Sequence, residues 1–139
     1  MDPVRTATVT RMIRCVRLWT GDDDASHVQT GRLDMAPGRN DDLVSTTFAA
    51  TEVTVEETAT GGTLAWHTAP VRQLVVTLAG TLQFITRDGE QFRQAPGDVL
   101  LAEDTTGSGH QWRLEGADPW RRMYVRLGDD AVVPFVADR

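Results

Sequence analysis

The sequence predicts an all-β fold, a single-domain jelly-roll β-barrel, on three observations. Short runs of strand-forming residues recur along the chain, punctuated by Gly, Pro, Asp and Asn. No long run places apolar residues at i, i+3, i+4 and i+7 behind a capping residue, so no helix is predicted. About ten short strands in one compact chain suit a jelly roll. The 139 residues are enough to bury a hydrophobic core without staples.

Residues 1–11 read as a flexible N-terminal extension and residues 12–139 as the folded domain. The first predicted strand is Ile13 to Thr20 (IRCVRLWT), followed by a solvent loop, GDDDAS. His27 to Met35, a PGRNDD turn and Val44 to Phe48 come next. Glu52 to Thr58 alternates cleanly, with Val53 and Val55 on one face and Glu52, Thr54 and Glu56 on the other. Beyond a Gly-Gly pair lies Thr63 to His67. Gln73 to Leu78 (QLVVTL) is rich in β-branched residues and stops at Gly80. Thr81 to Thr86 turns back onto Glu90 to Arg93 through Arg87-Asp88-Gly89-Glu90, a hairpin signal. The tight turn APGD leads into Val99 to Ala102. His110 to Leu114 and Arg121 to Leu127 are the last clear strands, and Pro134 makes the tail an edge strand or arm.

Composition narrows the function. The net charge of -6 and pI near 4.9 disfavour nucleic acid and anionic membrane surfaces, which both call for a basic face. No apolar run reaches the length of a membrane span, and the N-terminus has no apolar segment of a secretory leader. The 14 basic residues are all arginine, so Schiff-base chemistry on lysine and a P-loop lysine are excluded. Cys15 is the one cysteine; it cannot form an internal disulfide, which predicts a cytoplasmic chain, and its apolar neighbours predict a buried structural thiol.

Strand alternation gathers a set of polar side chains. His67 shares a face with Ala65 and Thr63, His110 with Trp112 and Leu114, and Gln73 with Val75 and Thr77. If those faces point inward, His67, Gln73 and His110 converge inside one barrel. Imidazoles suit divalent transition metals and also give and take protons near neutral pH.

On these residues the chain resembles the cupin superfamily. Gly61, His67, Gln73 and Gly80 keep the spacing of the first cupin motif, with Ala69 where the second histidine of that motif stands and Gln73 where its glutamate stands. Gly97 and His110 match the second motif, with the intervening loop AEDTTGSG lengthened and Leu114 in the place of an asparagine. The resemblance covers about the last two-thirds of the chain. It implies a small barrel with a degenerate metal site at His67, His110 and Gln73. That site either takes iron, zinc, nickel or manganese, completed by water, substrate, Glu103 or Asp104, or holds no metal. Its implied activity is isomerase, cyclase or lyase chemistry on a small molecule, with His67 and His110 as acid and base and Gln73 holding an oxygen. A non-catalytic binding or accessory protein is the alternative, and a metal-dependent enzyme a further one.

Trp112, Val75, Thr77, Glu103 and Tyr124 are the expected substrate contacts, and either Glu103 or Asp104 could orient an imidazole. Arg121, Arg122 and Arg126 around Tyr124 read either as an anion-binding group or as an exposed strand face or dimer edge, and Arg72 as facing solvent or a partner subunit. Trp66 and Trp120 read as packing residues, and His27 as an exposed loop residue. GDDDAS lacks the spacing of a calcium loop. A homodimer is expected, with IRCVRLW extending a neighbour's sheet.

Overall fold

The structure is a computed structural model that describes residues 12–139; the expected extension at 1–11 lies outside the described residues. The described chain is all β. Its strands are β1 (Arg14–Thr20), β2 (Ser26–Leu33), β3 (Ala36–Pro37), β4 (Leu43–Val44), β5 (Ala50–Thr58), β6 (Thr63–His67) and β7 (Gln73–Ala79). They continue with β8 (Thr81–Thr86), β9 (Gln91–Gln94), β10 (Val99–Glu103), β11 (His110–Glu115), β12 (Trp120–Leu127) and β13 (Phe135–Ala137). A seven-stranded sheet runs β13-β2-β1-β10-β7-β12-β5, a four-stranded sheet runs β6-β11-β8-β9, and β3 and β4 form a small ribbon.

The expected strand Val44 to Phe48 is not formed. Pairing stops at Val44, and Ser45 to Ala49 carry no strand. Phe48 instead packs its ring against the outer core, so burial of one aromatic side chain took precedence over a ladder. β1 is also not free to extend a neighbour: it is hydrogen-bonded to β2 on one side and β10 on the other. The free edges of the large sheet are β13 and β5.

The faces of the two larger sheets that meet bury the main core. Val16, Leu18, Val75, Leu100 and Ala102 come from the seven-stranded sheet, and Leu82, Phe84, Phe92 and Trp112 from the four-stranded one. Phe84 stacks on Phe92 at 4.7 Å, and Trp112 meets Trp120 edge-on at 4.8 Å; each such pair contributes about 1 kcal/mol beyond simple burial. A second core lies on the outer face of the seven-stranded sheet. There Cys15, Leu74, Val99, Leu101 and Leu127 are covered by Ala131, with Val133 and Phe135 of the C-terminal tail packed against them. This two-sided coverage explains why β7 and β10 read as almost continuous apolar runs. Cys15 is fully buried there, and burial pushes its thiol up to about 12, so it is an inert packing group.

Register across β5, β12 and β7 sets up the inner wall. Glu52 lies beside Arg126 and Arg126 beside Gln73; Thr54 beside Tyr124 and Tyr124 beside Val75; Glu56 beside Arg122 and Arg122 beside Thr77. The even-numbered residues of β5 therefore face the space between the sheets. Val53 and Val55 point outward, 55% and 66% exposed.

Candidate functional site

A cavity of about 300 Å³ opens between the sheets. His67, Gln73, His110, Arg122, Tyr124 and Glu56 line it as polar groups, on a wall that includes Val75, Phe84, Leu100, Trp112 and Trp120. A larger depression of about 420 Å³ lies around Gln83, Ile85, Gln111 and Arg113, where arginine is the one ionisable type. Of these two, the inter-sheet cavity is the one that brings histidine, carboxylate and guanidinium groups together.

The two histidines are held as a pair. β11 lies against β6 with His110 opposite His67, and the ring centroids are 4.4 Å apart. Gly109 permits this approach. Its φ is +75°, and a Cβ there would stand 2.3 Å from the His67 carbonyl oxygen.

Hydrogen bonds fix both rings. His67 Nδ1 lies 2.7 Å from the Ala65 carbonyl oxygen. A carbonyl only accepts, so Nδ1 carries the proton and Nε2 of the neutral ring keeps its lone pair. His110 Nδ1 donates to Asp104 Oδ2 at 2.6 Å, and Ser26 Oγ donates to the same oxygen at 2.7 Å. Asp104 is fully buried, and its other oxygen, Oδ1, has no partner among the described residues. Nδ1 of His110 is thus committed to the carboxylate, which leaves Nε2 as the nitrogen free for chemistry. Burial is the main reason His67 titrates below the usual histidine range; nearby His110 adds to the effect, while the Ala65 carbonyl and Asp104 oppose it.

Gln73 is 6% exposed and lines the cavity, where its side-chain amide is available to a ligand. Trp112, Val75 and Tyr124 line the cavity as well.

Two expected contacts are corrected. Glu103 is not in the cavity wall: it lies on the opposite face of β10 and bridges Arg17 at 2.6 Å and Arg72 at 2.5 Å. The neighbouring Asp104 takes the inner position, since consecutive strand residues point to opposite faces. Thr77 faces inward but lies beneath Trp120, whose Nε1 donates to its hydroxyl at 3.2 Å. Arg72 is anchored by Glu103 and by the Ala131 carbonyl. His27 lies on β2, not in a loop, and pairs with Asp23 at 2.8 Å, away from the cavity.

The long segment after β10 packs away from the cavity. Ser108 N donates to the Asp24 carbonyl, Thr20 Oγ1 donates to the Thr106 carbonyl, and none of residues 103–109 lines the cavity. Its role is to carry Asp104 under His110.

The sequence leaves Arg122 open between an anion-binding group and an exposed strand face, and gives Glu56 no role in the site. Arg122 is 5% exposed, stacks over the Trp120 ring at 3.9 Å, and donates to Tyr124, Thr58 and the Trp120 carbonyl. The alternation of Trp120, Arg122 and Tyr124 was the available signal, because a buried Trp fixes the face of its i+2 neighbour.

Among the described residues, no group of three or more His, Cys, Asp or Glu side chains is arranged to hold a metal ion. His67 and His110 offer two nitrogens and Gln73 one neutral oxygen; Ala69 offers nothing, and Asp104 is engaged with His110 and Ser26. This donor set does not fit a four-ligand divalent metal centre.

No family model matches the chain, and no curated protein matches it. Among solved structures it is similar to a conserved protein of unknown function from Streptococcus pyogenes. The two are 21% identical over 64% of this chain and 72% of that one, with a TM-score of 0.43, too distant to bear on function. Among the described residues, no helix is long and apolar enough to cross a membrane.

Proposed function

We propose that this chain is a cupin-type jelly roll that takes a small molecule between its sheets and acts on it by proton transfer through His67 and His110. The observation that supports this most is the pair of imidazoles, each committed through Nδ1 to a protein acceptor and each left with Nε2 for the cavity. Asp104 holds the His110 ring in one orientation and stabilises the positive charge that arises when Nε2 accepts a proton. His67, kept neutral by burial, accepts a hydrogen bond from the ligand and acts as an acid only after it has taken up a proton. Gln73 supplies an amide to a ligand oxygen. This combination suits isomerisation, cyclisation or elimination beside a carbonyl, which move protons without requiring a redox group.

The test is a ligand screen followed by long-range ¹H–¹⁵N spectra of the imidazoles. A ligand of this pocket shifts both His67 and His110, and turnover falls in His67→Ala and His110→Ala while most of the affinity remains. Ligands that bind saturably yet leave both rings unperturbed would sink the proposal. Loss of affinity in both variants, with no turnover in the wild type, would favour a carrier instead.

A further inference from the structure

The wall opposite the histidines, formed by β5 and β12 of the seven-stranded sheet, has chemistry that the histidines do not use. Arg122 donates through Nε to the Tyr124 hydroxyl at 3.2 Å, and through Nη1 to Thr58 Oγ1 at 2.8 Å and the Trp120 carbonyl at 3.2 Å. Among the described residues its Nη2 has no hydrogen bond; Glu56 Oε1 stands 3.6 Å away, on a side chain that is 53% exposed. Arg126, at the same wall, has Glu52 at 3.8 Å, again beyond a hydrogen bond, and Glu52 is 68% exposed. Each cation therefore has an acid at ion-pair distance but beyond hydrogen-bond reach. The other partners of Arg122 are neutral acceptors and the Trp120 ring, so Nη2 is the donor available to the carboxylate of a ligand. Beside Arg126 on the next strand is Gln73, which also lines the cavity.

We infer that the ligand of this cavity is a small hydroxycarboxylic acid, a deepening that rests on the histidine pocket proposed above. Its carboxylate engages Arg122 Nη2 and displaces Glu56, with Arg126 contributing at the mouth. Its hydroxyl donates to an imidazole Nε2, the acceptor left on the opposite sheet. The walls between, Trp112, Trp120, Phe84 and Val75, accept a flat apolar body. A monoanion fits better than a phosphate dianion, because Glu52 and Glu56 already stand across from the two arginines.

Isothermal titration with 4-hydroxybenzoate, 4-hydroxyphenylacetate and 4-hydroxycinnamate, each beside its primary amide, tests the inference. At least one acid is expected to bind saturably and at least tenfold more tightly than its amide. Glu56→Gln removes the competing carboxylate and should tighten the acid several-fold without tightening the amide. Arg126→Gln, an exposed change, should weaken the acid selectively. Arg122→Gln should abolish the preference, and the two surface variants decide the matter if it fails to fold. Amides that bind as tightly as acids, an acid-to-amide ratio unmoved by Glu56→Gln, or no acid binding to wild type or Glu56→Gln would each overturn the inference. Equal binding of acid and amide that still shifts the His67 and His110 rings would overturn the carboxylate and leave the histidine pocket standing. An acid preference that tracks Glu56 while both rings stay unshifted would support the carboxylate and remove the histidines from the site.

Discussion

The histidine wall and the arginine wall of the cavity lie on different sheets and are built on opposite plans. Behind the histidines Asp104, Ser26 and His110 are joined by bonds of 2.6 and 2.7 Å with the carboxylate fully buried. Along the arginine wall the carboxylates of Glu56 and Glu52 hang at 3.6 and 3.8 Å on exposed side chains. Short buried bonds hold an atom where a reaction needs it, whereas loose half-solvated pairs can be exchanged for a ligand at little cost. On the function proposed above, the histidine wall carries the chemistry and the arginine wall the recognition.

The largest effect should come from breaking the histidine wall. Asp104→Ala leaves Ser26 and His110 Nδ1 without their acceptor in a buried site and is expected to cost about 3–5 kcal/mol. Urea unfolding would measure it. A loss under about 1 kcal/mol would mean that the buried carboxylate does not organise the site as described.

The next comparison separates inside from outside at adjacent positions. Glu103→Gln weakens the Arg17 and Arg72 bridge on the outer face. It should cost about 1 kcal/mol or less and leave ligand binding and the His110 ring signal unchanged. A change in the His110 signal would place Glu103 in the site after all.

A smaller effect concerns pH. Because the folded state holds His67 below its ordinary value of 6.5, the unfolded chain binds more protons in that range. The His67 contribution is therefore intact above pH 6.5 and declines as pH falls from there through the lowered folded value. His27 acts in the opposite sense, since its hydrogen bond to Asp23 raises its value; its contribution is present below 6.5 and lost as pH rises through the raised value. Comparing wild type with His67→Asn isolates the first. The wild type should lose more stability than the variant between pH 7.5 and pH 5, and equal losses would contradict a buried neutral His67.

Much of this was legible in the chain. Alternation pointed His67, Gln73 and His110 into one cavity from two sheets, and the Asp88-Gly89 turn placed the β8–β9 hairpin. What failed did so for physical reasons. Parity decides which residue of a strand looks inward, so a one-residue ambiguity at the end of β10 exchanged Glu103 for Asp104. In β5 the pattern names two faces without saying which is buried, and here the polar one lines the cavity while Val53 and Val55 face out. Arg122 stayed open between an anion-binding group and an exposed face because its compensation, the Trp120 ring and the Thr58 hydroxyl, comes partly from a strand far away in sequence. Phe48 was read for strand propensity, whereas its burial against the outer core decided its conformation.

The most direct test of the central claim is the tautomer of each cavity histidine, read from long-range ¹H–¹⁵N correlations at pH 8.5. The account predicts protons on Nδ1 of both His67 and His110, with Nε2 of both rings bare. A proton on Nε2 with Nδ1 bare, in either ring, would contradict it.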